Sequence, residues 1–248
     1  MSRDAKDKEK ATAFFVADCH LDEREEGLAV FEAFLRSLPG RTPALYVLGD
    51  LFNLWIGYPH LERAYHRRIV ETLGMLDDEG TVVSFVEGNR DFFLREGGRD
   101  RLFARYNRDE MSVEAAGRRI ALFHGDMVNV DDRLYRAWHA ASKSRAASAL
   151  ARVLPSRLGR SFAAAAERRL RSTNLAYKAR FPEAHCLRYA ESKFREGHDA
   201  VILGHFHTER RYELADGTLF VMPMWGEARR YLRLGSDGTF RFEAFSGG

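Results

Sequence analysis

The sequence predicts an α/β layered fold, and three observations carry that prediction. Short apolar runs recur along the chain, each ending abruptly in Gly, Asp, Asn or His. Their hydrophobicity is continuous rather than alternating, as in strands covered on both faces. Helical patterns separate the early runs, and strands alternating with helices imply stacked layers.

Ala13-Phe14-Phe15-Val16-Ala17, the first run, has the length and the aromatic and β-branched content of a buried strand. Leu28, Phe31, Phe34 and Leu35 then recur at helical spacing. Ala44-Leu45-Tyr46-Val47-Leu48 is the second strand, and Ile69, Leu73 and Leu76 mark a second helix. Val82-Val83-Ser84-Phe85-Val86, Ile120-Ala121-Leu122-Phe123 and Ala200-Val201-Ile202-Leu203 are three further strands. In the tail, Leu219 to Met222, Tyr231 to Leu234 and Phe240 to Phe242 are separated by turns such as Asp216-Gly217 and Asp237-Gly238. They read as antiparallel strands completing the sheet system. Residues 133–180 interrupt the alternation as a helical insertion. Leu134, Trp138, Leu150, Val153 and Leu154 keep a roughly helical period, Pro155 breaks it, and Leu158, Phe162, Leu170 and Tyr177 continue on a second helix.

The 248 residues, 45% hydrophobic and 30% charged, exclude a disordered chain, a collagen-like chain and a disulfide scaffold. Cys19 and Cys186 form no CxxC, so no zinc ribbon or thioredoxin-type site is available, and a reducing compartment is expected. Residues 1–10 are a charged tail without the apolar core of a signal peptide. No apolar run reaches the roughly 20 residues that span a bilayer, so a soluble or peripherally attached protein is expected, with one domain over 11–248. Charge is uneven: residues 133–180 hold ten Arg and two Lys against one acid, Glu167. Such a segment is either a solvated face or a surface for an anionic partner: nucleic acid, phospholipid or a phosphorylated substrate.

The chemistry lies at the ends of these strands. The five leading runs end in Asp18-Cys19-His20, Gly49-Asp50, Gly88-Asn89-Arg90-Asp91, His124-Gly125-Asp126 and Gly204-His205-Phe206-His207. Five strands, read as edge-type, thus deliver seven metal-ligating residue types to one side of a sheet, where open α/β sheets bind their ligands. Asp18 and His20 are i, i+2, as are His205 and His207, and on extended backbone each pair would point the same way. Glycine before Asp50, Asn89 and His205 allows tight turns and close backbone approach. Mixed carboxylate, amide and imidazole ligands suit Mn²⁺, Fe²⁺ or Zn²⁺ better than Mg²⁺ or Ca²⁺. Seven ligands exceed one ion but suffice for two if Asp50 bridges, and paired ions make a phosphoryl-transfer site. A nucleic-acid-binding protein would leave these seven residues unexplained.

This order of motifs, DxH, GD, GN, His-Gly-Asp and GHxH, resembles the calcineurin-like metallophosphoesterases from Phe14 to about Trp225. The resemblance implies a four-layer α/β/β/α sandwich. It places one ion on Asp18, His20, Asp50 and His207, and the other on Asp50, Asn89, His124 and His205. Leu45 to Phe52, Leu54-Trp55-Ile56-Gly57, Gly88 to Phe92 and His124-Gly125-Asp126 with the later Asp131-Asp132 and Tyr135 are similar to the UDP-2,3-diacylglucosamine pyrophosphatases of lipid A synthesis. That family has Arg after the Asn where the wider superfamily has His, and its helical lid falls where the basic insertion lies.

This closer resemblance implies hydrolysis at the α-phosphate of UDP-2,3-diacylglucosamine, giving UMP and 2,3-diacylglucosamine 1-phosphate, with two divalent ions, usually Mn²⁺. Asn89, Arg90 and His124 are then the catalytic group, and Arg90, Asp132, Tyr135 and His205 meet the substrate head. The polar group of the second lid helix maps to Ser172, Thr173, Asn174 and Lys178, of which Asn174 and Lys178 are the expected contacts. A UDP-linked diacyl sugar needs bases beside an apolar groove, and the insertion carries both. An amphipathic basic helix also suits an anionic membrane surface, here the inner face of the cytoplasmic membrane. Departures from the family are Asn53 in place of an acid, Tyr58-Pro59-His60 in place of an acidic stretch, GHFHT in place of GHTHR, and the segment from Phe181 to Cys186. They leave the metal ligands untouched and keep open another nucleotide diphosphate or phosphodiester as the substrate.

Overall fold

The computed structural model describes residues 11–177 and 181–247, with side chains except at 167–177, 227 and 228. Strands β1 (Ala11–Val16), β2 (Ala44–Leu48) and β4 (Val82–Val86) alternate with helices α1 (Glu25–Arg36) and α2 (Ala64–Leu76). Parallel pairing sets Val16 beside Val47 and Leu48 beside Val86, so the carboxyl ends of the three strands come level. Together with β6 (Arg105–Asn107), β12 (Arg230–Gly235) and β13 (Phe240–Ala244) they form a six-stranded sheet in the order β13-β12-β1-β2-β4-β6. β3 (Trp55–Ile56) and β5 (Asp91–Phe92) form a separate, parallel two-stranded pair.

A second, five-stranded sheet has the order β10-β11-β9-β8-β7, built from β7 (Glu110–Ala115), β8 (Arg118–Phe123), β9 (Ala200–Leu203), β10 (Arg210–Leu214) and β11 (Gly217–Val221). Here β8 and β9 run parallel with Phe123 beside Leu203, which brings their ends level too.

Three apolar layers separate four structural ones. Phe14, Val16, Leu45, Val47 and Phe85 face Leu28, Phe31, Phe34, Leu35, Ile69 and Leu73 of the helices. Ala13, Phe15, Leu48 and Val86 turn the other way and meet Val113, Ile120, Leu122, Ile202 and Phe220 of the second sheet. Ala121, Phe123, Val201 and Leu203 face Cys186, Ala190 and Phe194 on a further helix spanning Glu183–Arg195. Strand residues therefore alternate between two buried faces, and this is why the runs are continuously apolar. The architecture is the α/β/β/α sandwich.

Two expectations are corrected. All five site-bearing strands lie inside their sheets rather than at edges. The run Leu219 to Met222 is antiparallel to β10 but does not join the other tail strands: on its other side β11 runs parallel to β9 in the second sheet, while β12 and β13 pair antiparallel in the first. The Asp216-Gly217 turn instead joins β11 to β10, whose exposed, polar Arg-Arg-Tyr-Glu-Leu sequence hides a strand from periodicity.

Between β8 and the helix at 183–195 the insertion forms three helices, α3 (Arg133–Ser142), α4 (Arg145–Val153) and α5 (Ser156–Tyr177). The break between the first two comes at Ser144, whose side chain accepts from the Ala147 amide and starts a new helix. Small residues Ala147 and Ala151 pack on Tyr58, Leu61 and Phe93, and the Tyr58 and Ser148 hydroxyls share a 2.9 Å hydrogen bond. The large apolar residues of the insertion face outward instead: Leu134, Leu150, Val153, Leu158 and Phe162 are each more than 60% exposed.

Candidate active site

The seven ligand types converge where the two sheets present their carboxyl ends. Five of them, Asp18, His20, Asp50, His205 and His207, have left-handed φ values between 46° and 70°. This corrects the extended geometry expected for the DxH and HxH pairs. Left-handed backbone is strained for non-glycine residues and persists only where the surroundings over-determine it, as at functional sites. After the first, second and ninth strands the chain bends sharply, carrying Asp18 and His20 to the His207 side of the cluster while His205 turns to Asn89.

Two glycines make the approach possible. A Cβ at Gly49 would stand 2.4 Å from the Gly88 nitrogen, and one at Gly88 only 2.3 Å from Asp50 Oδ1. Asp91, buried between them, accepts from the Gly88 and Asp50 amides at 2.8 Å each, tying the second and third loops together.

The groups face one another as ligands would. Asp18, His20 and His207 form one cluster and Asp18, Asp50 and His124 another, with donor atoms inside each within 4.8 Å. His20 Nε2 lies 2.9 Å from His207 Nε2 and 3.8 Å from Asp18 Oδ1. Asp50 turns Oδ2 toward His20 Nε2 at 3.9 Å and Oδ1 toward His124 Nε2 at 3.6 Å. Asn89 Oδ1 stands 3.1 Å from both His124 Nε2 and His205 Nδ1.

The donor set fits two divalent cations. Burial holds the His20 imidazole down to about 3 and the His205 imidazole down to about 4, so both offer lone pairs at neutral pH. Burial opposes charge on His124, yet Asp50, Asp18 and Asp126 raise it to about 9: the pocket draws positive charge to itself. Its Nδ1 is 2.8 Å from the Leu48 carbonyl; donation there leaves Nε2 toward Asp50. Burial would raise Asp18, but His207, His124 and His20 hold it well below the usual carboxylate range. Asp18 Oδ2 accepts the His205 amide at 2.7 Å, while Oδ1, fully buried, has no hydrogen-bond donor and points at the cluster. A carboxylate oxygen left so is costly unless a cation takes it.

The other expected residues are placed less uniformly. Arg90 is buried beside Asp50, its amide donating to Asp50 Oδ1 at 2.8 Å and its Nε lying 3.8 Å from Oδ2. Asp132 caps α3 by accepting the Tyr135 amide at 2.9 Å. Tyr135 is half-buried and donates its hydroxyl to Asp126 Oδ2 at 2.8 Å. Asn174 falls on α5 with its side chain outside the described residues, and Lys178 lies outside them altogether.

Sequence reasoning passed over Asp91, Asp126, His139 and Lys143. Asp126 carries the site's charge outward: His139 Nε2 on α3 is 3.6 Å away. Its place in His-Gly-Asp was the available signal; Lys143, inside a basic run, offered none. Two departures from the family prove to be neighbours, since the Phe206 ring packs edge-on against Phe181 at 5.2 Å and Arg210 lies over the Phe181 face. Asn53 donates to Asp22 at 3.2 Å, where an acid would repel it.

No family model matches the chain. It is 32% identical over 239 residues to a UDP-2,3-diacylglucosamine hydrolase of Stenotrophomonas maltophilia, covering 92% of this chain and 96% of that one. A UDP-2,3-diacylglucosamine hydrolase of Edwardsiella ictaluri is 30% identical over 237 residues, covering 92% and 90%. Among solved structures, one described as a novel archaeal phosphodiesterase is similar at a TM-score of 0.49 and 13% identity, covering 94% of this chain and 99% of that one. The phosphopantetheinyl hydrolase of Mycobacterium tuberculosis is similar at 0.44 and 15%, covering 88% and 92%.

Proposed function

Because the chain belongs to the UDP-2,3-diacylglucosamine hydrolase family, we propose that it hydrolyses the pyrophosphate of UDP-2,3-diacylglucosamine, releasing UMP and 2,3-diacylglucosamine 1-phosphate. The observation that carries the reading is the Asp50 carboxylate, which turns one oxygen to the His20 side and the other to the His124 side. Such a carboxylate could serve both ion positions. Asp18, His20, Asp50 and His207 would hold one, and Asp50, Asn89, His124 and His205 the other, with Mn²⁺ the ion of choice. Bound there, two divalent cations would activate a water and neutralise the phosphate oxygens.

The chain's own residues supply the rest. Arg90, fixed beside Asp50, presents a guanidinium to a phosphate oxygen of the diphosphate. His205 and Tyr135 approach the head group from the second sheet and the insertion. Asp132, and Asn174 and Lys178 of the insertion, complete the contacts to the sugar. The outward Leu134, Leu150, Val153, Leu158 and Phe162, set among arginines, suit acyl chains and an anionic membrane surface, with residues 133–180 acting as the lid. Among the described residues no helix is long and apolar enough to cross a membrane. Peripheral attachment at the inner face of the cytoplasmic membrane accords with this reading.

The test is release of UMP from UDP-2,3-diacylglucosamine by the purified protein with Mn²⁺, beside a deacylated UDP-sugar and a generic phosphodiester. The acylated substrate should be turned over fastest. Equal or faster turnover of the unacylated compounds would replace this reading with a general nucleotide phosphoesterase.

A further inference from the structure

Lys143 ends helix α3 of the insertion, yet its side chain is largely buried and reaches the metal-ligand loop of the first sheet. Its Nζ donates to the Gly88 carbonyl at 2.8 Å and to Glu87 Oε2 at 3.2 Å, and lies 5.7 Å from the centre of the Phe92 ring. Glu87 is itself buried, and its other oxygen accepts the Tyr106 hydroxyl. The carbonyl that Lys143 holds belongs to the peptide joining Gly88 to Asn89. That carbonyl also accepts the Asp91 amide at 3.4 Å, and steadying the plane of that peptide steadies the backbone from which the Asn89 side chain projects. That side chain's Oδ1 sits between His124 and His205.

We propose that Lys143 is a positioning residue through which the docked insertion sets Asn89, so that occupation of the Asn89–His124–His205 metal position and docking of α3 favour each other. The proposal rests on the two-metal reading above. Coupling of this kind is reciprocal: whatever steadies one partner steadies the other by the same factor. One charge-assisted hydrogen bond to the loop corresponds to about a tenfold change in affinity.

The test compares wild type, Lys143→Met and Lys143→Arg by Mn²⁺ titration and by amide exchange of residues 134–142, with and without chelator. In the wild type two ions should bind, and chelation should raise exchange in α3. In Lys143→Met one of the two ions should bind about tenfold more weakly, while α3 exchanges fast whether or not metal is present. Lys143→Arg, which keeps a cationic donor, should restore most of both effects. Wild-type Mn²⁺ affinity at both positions in Lys143→Met, or α3 exchange that still responds to chelation there, would overturn the proposal. A wild type that takes up no Mn²⁺ would instead overturn the two-metal reading and this inference with it.

Discussion

Replacing Gly88 by alanine tests the geometry of the site more sharply than removing a ligand. The added Cβ would stand 2.3 Å from Asp50 Oδ1, 2.6 Å from the Asp50 nitrogen and 2.9 Å from His124 Cε1. Ordinary contact begins near 3.4 Å, so the second and third loops must part by about 1 Å. Side-chain rotation cannot relieve this, because one of the clashing atoms is backbone. The displaced group is the carboxylate read as the bridge between ions. Misplacement by about 1 Å at a reacting centre costs roughly a hundredfold in rate. Overpacking of this kind also destabilises by about 1–3 kcal/mol, a fall of several degrees in melting temperature for a chain of this size. Gly80→Ala is the control. Its φ of 85° makes alanine strained, but nothing lies within 4 Å of the new methyl. It should lower stability by about 1–2 kcal/mol and leave turnover unchanged. The assay is UMP release with Mn²⁺, read beside bound metal and melting temperature for both variants. Gly88→Ala with normal kcat and two bound ions would refute the reasoning, since the bridge would then not need the loops' close approach.

Further outcomes are expected. Asp50→Ala should abolish turnover and reduce bound Mn²⁺; retained activity with two ions would show the ligand assignment to be wrong. Arg90→Lys should keep its metal but lose roughly tenfold to a hundredfold in kcat/KM, because an ammonium cannot reproduce a planar two-point contact; near-normal kcat/KM with a lower melting temperature would make Arg90 a scaffold only. Neutralising Arg152, Arg157 and Arg160 should weaken binding to anionic vesicles by roughly two orders of magnitude, at about 1 kcal/mol per charge, and unchanged binding in a sedimentation assay would remove the membrane role of this face. His66 supplies a pH dependence away from the metal site. Burial pushes its imidazole down to about 3, and it accepts the Arg63 amide while its Nε2 lies 3.0 Å from the Leu54 carbonyl. The unfolded chain takes up a proton near pH 6.5 and the folded one does not. Stability should therefore be full above that pH and fall below it by up to about 1.4 kcal/mol per unit. Urea midpoints measured with chelator at pH 7 and pH 5 should differ less in His66→Gln than in the wild type, and equal differences would rule His66 out as a source.

Sequence alone determined the layered α/β class and the site's composition. Strand residues such as Phe14 and Phe15 face two different apolar layers, so their runs carry no polar interruptions and stand out. The candidate ligands sit where those runs stop, because parallel strands present their chemistry at their carboxyl ends. The order Asp18, His20, Asp50, Asn89, His124, His205, His207 was therefore legible. Their convergence was not. Extended backbone would have served each DxH or HxH pair locally, whereas in the fold Asp18, His20, His205 and His207 take left-handed bends, the first two held by backbone hydrogen bonds to Gly49 and Asp50 of the neighbouring loop. β10 was likewise hidden, since an exposed edge strand needs no apolar alternation and its partner β11 lies across a turn. The insertion shows the same division. Its apolar period announced helices, yet whether Leu134 or Phe162 faces the core or the outside depends on what packs beside it. Ala147 and Ala151 take the inner face because small residues fit against Tyr58 and Phe93. Lys143 shows the division most clearly: in the sequence it is one base among twelve, and only the fold carries its ammonium to the Gly88 carbonyl and the buried Glu87 carboxylate beside it.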